Sequence, residues 1–267
     1  MKKKHRISFS TVYLALGLVI IYLPIALVIL YSFNESKISS VWGGFSLKWY
    51  RTLFADKAMF QALGNSLILG LSASLAAGVV GTLGAVGFDR VRPRSRRLIE
   101  YLTSLPLMTP EIILGMVFMA FFGMLGIPFG MGTLILSHTT FCIPYVFMLV
   151  QARLVGMDRS LAEAARDLGA GERQVFFIVM ITLPLLLPAI VSGMLLSFAM
   201  SLDDVIISLF VTGVNVNTLP IKVYTALKTG VTPEINALCT LLLAATLLLV
   251  GLSMLWSKIS RLTGSGR

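Results

Sequence analysis

Charge is scarce in this chain of 267 residues: Asp, Glu, Lys and Arg make up 13% of it, against 57% hydrophobic residues and a mean hydropathy of +0.89. Soluble domains run at about 25% charged and about 45–50% apolar, so a soluble globular fold is excluded. Cysteine and histidine are nearly missing, at two each. Cys142 and Cys239 lie inside apolar runs, with no CxxC pair and no histidine at ligand spacing. That argues against a disulfide framework or a metal centre and leaves both as small core residues. No lysine follows a glycine, so a phosphate-cradling GxxxxGK[ST] loop cannot form. No Ser/His/Asp set falls in plausible loops, so no catalytic residues are expected. The chain binds no cofactor in this reading, and any energy it uses comes from a partner.

What the chain does have is long uncharged runs. Ile7–Asn34, Ala58–Phe88, Ile112–Gln151, Gln174–Leu202 and Ile235–Ser257 carry no charge, and each exceeds the roughly 20 residues that cross a bilayer core. The third is too long for one helix, and Gly126-Ile127-Pro128-Phe129-Gly130 supplies a turn that divides it. The expectation is an all-α polytopic membrane protein with six transmembrane helices, near 11–33, 61–88, 98–126, 131–152, 178–203 and 235–257. Residues 1–10 and 261–267 form tails around a single 11–260 domain. The first run is too long for a removable signal peptide.

The distribution of lysine and arginine orients the bundle. Sixteen of the 22 fall in the N-terminal tail, the 89–97 loop, the 153–173 loop and the C-terminal tail. Six remain for the other side: Lys37, Lys48, Arg51, Lys57, Lys222 and Lys228. Both termini are thereby expected in the cytoplasm, and the net charge of +10 reflects topology, with no nucleic acid implied. Two outer segments follow. Residues 34–60 carry Trp42, Phe45, Trp49, Tyr50 and Phe54, which suits a short interfacial helix or a docking surface for an external partner. Residues 204–234 contain the Val205–Val211 run, too short to cross and able to dip back into the protein.

A polar island interrupts the grease at Glu163-Ala164-Ala165-Arg166-Asp167-Leu168-Gly169, within a cytoplasmic loop at 153–175. Asp158 can cap a short helix here, the alanines favour it, and Gly169 or Gly171 ends it. Ala164 and Leu168 lie one turn apart as a small apolar face, while Glu163 and Asp167 can address basic groups on a partner. Carboxylates at membrane depth are costly and so informative. Glu111 follows Pro106 and Pro110 in the third span near its midplane, as a pore carboxylate or as a helix cap. Asp203 and Asp204 end the fifth span, on a substrate path or as a solvated helix end. His138 reads as a hydrogen-bonded core residue in preference to a substrate contact, and Gly115, Gly123, Gly126, Gly130 and Gly132, with Gly70, Gly78, Gly81, Gly84 and Gly87 of the second span, read as sites of close helix packing.

The Glu-Ala-Ala, three residues, Gly pattern resembles the coupling loop of ABC-transporter permeases. Pro184 stands fifteen residues after Gly169, two more than the family spacing, which turns the following helix by about 200°. Tyr31-Ser32-Phe33-Asn34 with Trp42 and Lys48-Trp49-Tyr50 resembles the first outer loop of polyamine permeases. Ser137-His138-Thr139-Thr140-Phe141-Cys142, Ser201-Leu202-Asp203-Asp204-Val205, Phe210-Val211-Thr212-Gly213 and Gly230-Val231-Thr232-Pro233-Glu234-Ile235-Asn236-Ala237-Leu238 extend the likeness. Together they resemble the second permease type of spermidine/putrescine importers, the putrescine branch slightly closer. Glu111 is a departure, standing where relatives are expected to carry Asp.

The resemblance implies a type I ABC importer permease in the inner membrane. Its partners would be an ATPase dimer that binds ATP and Mg, a second homologous permease, and a periplasmic or lipid-anchored polyamine-binding protein. Glu163, Ala164, Ala165, Asp167, Leu168 and Gly169 would couple to the ATPase, and Glu111, Asp203 and Asp204 would line the substrate path. The same machine carrying ferric iron or an anion, or an ion-coupled transporter without an ATPase, are the competing readings.

Overall fold

The computed structural model describes residues 9–38, 41–88, 91–158, 160, 182–214, 216–230 and 232–264. Ten helices are found among them: α1 Phe9–Ser32, α2 Lys48–Ala55, α3 Lys57–Phe88, α4 Pro93–Met108, α5 Glu111–Met124, α6 Met131–Val155, α7 Leu183–Asp203, α8 Ile206–Val211, α9 Leu219–Thr229 and α10 Pro233–Gly264. The described residues hold no strand beyond one isolated bridge, Asn34 with Phe45. The all-α expectation is therefore met. The chain divides into two compact units, Met1–Met59 with Val223–Arg267, and Phe60–Lys222.

The six expected spans are met in part. Among the described residues, four helices are long and apolar enough to cross a bilayer: α1, α3, α6 and α7. The expected third span, 98–126, is two helices, Arg94–Met108 and Glu111–Met124, meeting at 107°. Proline is the cause. Pro110 offers no N–H to a continuing helix and forces the residue before it out of the helical region, and Thr109 indeed sits extended at φ −83°, ψ 128°. Counting that broken pair as one gives five spans, and the predicted sixth falls in α10, whose Pro233–Leu248 part is apolar but shorter.

In the first unit α1 and α2 pack on α10. The loop between α1 and α2 is organised by Asn34, which is fully buried. Its Nδ2 donates to the Val41 carbonyl at 2.7 Å, and its Oδ1 accepts from the amides of Gly43 at 2.8 Å and Ser36 at 3.2 Å. The Trp49 indole donates to the Asn34 carbonyl at 2.7 Å, and Phe33 stacks on Phe45 at 5.3 Å. The short helix expected in 34–60 is α2. Trp49 serves the loop's own core rather than an outer surface.

In the second unit α6 is the central element. Leu134, His138, Cys142, Val146 and Val150 are all fully buried along it. Spaced four apart, they form a continuous stripe on one face. Val146 is approached by a glycine of α3 and by one of α7. A Cβ at Gly81 would stand 2.8 Å from the Val146 Cβ, and one at Gly193 would stand 3.0 Å from the Val146 Cα. Of the glycines expected to pack helices closely, Gly70, Gly78, Gly81 and Gly115 do so. Gly87, Gly123, Gly130 and Gly132 face nothing within 4 Å, and Gly126 serves the 126–130 turn with φ +66°. Short α8 folds back against α5 and α6 with Ile207, Ser208 and Val211 buried, as expected for a run too short to cross.

Candidate functional site

The break between α4 and α5 and the end of α7 border one cavity in the second unit. It has a volume of about 390 Å³, within the range of small-molecule sites, about 300–1,000 Å³. The Pro106–Pro110 segment forms one side, and α6 contributes Phe141 and Tyr145. Glu111, Asp203 and Asp204 all line it, and no Lys or Arg does among the described residues. The three carboxylates singled out in the sequence thus share one space, although 92 residues of chain separate Glu111 from Asp203.

Each carboxylate reaches the cavity by a different local route. Glu111 is the first residue of α5, freed by the proline break. An acid in a first helical turn is favoured by the exposed amides there, so the cap and the cavity readings describe the same position. Asp203 is the last residue of α7 and is exposed. Among the described residues, neither the Glu111 nor the Asp203 carboxylate has a hydrogen-bond or ion-pair partner. Asp204 is a different case. It leaves the helix at φ −67°, ψ 123° and is only 9% exposed.

The Asp204 carboxylate is engaged on every side the protein offers. It accepts from the Ile207 amide at 3.1 Å, the Ser208 amide at 2.8 Å and the Ser208 hydroxyl at 2.8 Å. Those bonds satisfy otherwise orphaned donors in the first turn of α8. His138 Nε2 lies 3.4 Å from Asp204 Oδ2. The same Nε2 is 3.0 Å from Ser208 Oγ, and Nδ1 is 2.7 Å from Ser201 Oγ. The solvated helix end considered for Asp204 is thereby overturned: it is a buried structural acceptor with one edge on the cavity. His138, fully buried and hydrogen-bonded, is the core histidine expected.

Sequence reasoning passed over Ser201, Ser208, Phe141 and Tyr145. Their signal was available in part. Ser201 and Asp204 are three apart, and Asp204 and Ser208 four; yet the kink after Asp203 is what turns Ser208 back toward α6. Cys142 is buried and Cys239 half-buried, and both are free. The segment Glu163, Ala164, Ala165, Asp167, Leu168 and Gly169 lies outside the described residues. Just before it, Asp158 Oδ1 accepts the Ser160 amide at 2.9 Å, the bond a helix-capping aspartate makes. That bond holds its carboxyl below the usual carboxylate range.

Several helices long enough to cross a bilayer, with a proline-broken pair beside an acid-lined cavity, define a multi-pass membrane protein. Residues 73–259 match the family of binding-protein-dependent transport system inner membrane components, and this chain belongs to that family. Among relatives, it is 42% identical to the spermidine/putrescine transport system permease protein PotC of Haemophilus influenzae, over 89% of this chain and 92% of the relative. It is 43% identical to the putrescine transport system permease protein PotI of Escherichia coli, over 90% and 87%. Against PotC of Escherichia coli the identity is 40%, over 89% of each chain.

Proposed function

We propose that this chain is the permease subunit of an ATP-driven importer for polyamines, putrescine or spermidine, and forms half of the translocation path. The observation that carries the substrate class is the cavity. It gathers three carboxylates with no Lys or Arg in its lining among the described residues, and walls them with Phe141, Tyr145, Leu114 and Met200. Carboxylates suit ammonium ends, aromatic faces add cation–π attraction, and apolar walls suit a methylene chain. An anion would meet only repulsion here. Glu111 and Asp203, which have no hydrogen-bond or ion-pair partner among the described residues, are the contacts offered to the cation.

The importer reading also assigns partners. A separate ATPase dimer, carrying ATP and Mg, docks on Glu163–Gly169; a second permease supplies the other half of the path; an external binding protein delivers the polyamine. Both termini lie in the cytoplasm, following the arginine and lysine distribution.

The test is uptake of labelled putrescine and spermidine in cells expressing this chain with its partner subunits. The Glu111→Gln/Asp203→Asn pair should reduce uptake by roughly tenfold or more while leaving membrane levels unchanged. Normal polyamine uptake in that variant removes the cavity from the path. Uptake of ferric iron and not of polyamines would move the substrate to another cation. Glu163→Lys or Gly169→Asp should abolish uptake and co-purification of the ATPase, whereas gradient-driven uptake without any ATPase would replace the importer reading by an ion-coupled one.

A further inference from the structure

The hydrogen bonds around His138 run in one direction. As a carboxylate, Asp204 can only accept, so the single proton of the Ser208 hydroxyl points at Asp204 Oδ2, 2.8 Å away. Ser208 Oγ then has only lone pairs left for His138 Nε2 at 3.0 Å. Nε2 must therefore be the protonated nitrogen. In the neutral ring Nδ1 is left as an acceptor, and Ser201 Oγ stands 2.7 Å from it as the donor. The order is Ser201 to His138 to Ser208 to Asp204, drawn from α6, α7 and α8. Each polar atom in it is used, at sites no more than 9% exposed.

We infer that His138 is a positioning residue for transport, acting through the Nε2–H tautomer. By donating to Ser208 it fixes the hydroxyl that holds Asp204, and so locks α8 and the α7–α8 junction as one wall of the cavity. Asp204 is thereby committed to the wall, and the charge available to a passing cation is that of Glu111 and Asp203. This inference rests on the reading of the cavity as the substrate path, and His138 itself does not line that cavity.

Two measurements test it. The chain has only two histidines, His5 and His138, so nitrogen-15-labelled histidine with His5→Gln leaves one imidazole to observe in the lipid-reconstituted full chain. Solid-state NMR should report Nε2 protonated and Nδ1 bare. A ring protonated on Nδ1, alone or together with Nε2, overturns the inference whatever transport does. The second measurement is rescue in the complete transport complex. His138→Gln places an amide donor near the Nε2 position, while His138→Asn reaches only as far as Nδ1. Uptake should fall roughly tenfold or more in His138→Asn and stay within about threefold of the parent in His138→Gln, a gap of more than about 0.7 kcal/mol at RT of about 0.59 kcal/mol. Equal loss in the two, with equal chain in the membrane, overturns the positioning role. Failure of the cavity reading shows separately, as unaltered uptake in the Glu111→Gln/Asp203→Asn pair.

Discussion

The loop after α1 and the junction after α7 solve the same problem with nearly isosteric side chains. In each, the chain leaves a long apolar helix and turns sharply, and one buried side chain takes up the backbone groups the turn exposes. Asn34 does this with a donor and an acceptor, closing its loop on Val41, Ser36 and Gly43. Asp204 does it with acceptors alone, capping α8 at Ile207 and Ser208. The neutral residue leaves nothing over. The charged one leaves a negative edge in a cavity that already holds Glu111 and Asp203. A loop can thus be folded without creating a site, and the choice of Asp over Asn at one turn separates the two outcomes.

Four substitutions test the contrast between Asn34 and Asp204. Asp204→Leu removes the acceptor altogether and strands the Ile207 and Ser208 donors; each hydrogen bond to a charged group is worth about 1.5–3 kcal/mol, so thermal unfolding in detergent should show the largest drop of the set. Asn34→Asp comes next. It replaces the donor to Val41 by a second acceptor, and one lost bond plus an unsatisfied carbonyl amounts to about 2–3 kcal/mol. An unchanged unfolding temperature would mean the loop does not depend on that amide. Asp204→Asn keeps one oxygen for the Ser208 groups and forfeits the Ile207 amide, so about 1 kcal/mol is expected. Equal destabilisation by the Leu and Asn variants would contradict the acceptor-only role. Asp203→Asn should change stability least, within about 0.5 kcal/mol, because no described residue bonds to that carboxylate. A large loss there would erase the distinction between the two neighbouring aspartates.

Much of this was legible in the chain. Long uncharged runs announced spanning helices because a bilayer leaves few alternatives, and α1, α3, α6 and α7 appear close to where they were expected. The third span was misread as continuous because Ile112–Phe122 is apolar enough to mask the proline before it; the consequence of Pro110, a 107° bend, depends on where the freed helix finds packing. Gly115 illustrates this. A side chain there would stand 2.5 Å from Phe210, so α5 can lie against α8 only because that position is bare. Glu111, Asp203 and Asp204 were picked out by the cost of charge in hydrocarbon, a criterion that detects importance without telling a free carboxylate from a committed one.

The order of the residues by itself determined the class, the helices and the three acids, since hydropathy and the price of burying charge act on each segment locally. Which acids face the cavity, and which one is held by Ser208 with His138 beside it, was decided only in three dimensions. Hydrogen bonds require partners within about 3 Å, and His138, which meets the Asp204 cluster through Ser208, stands 70 residues from that serine in the chain.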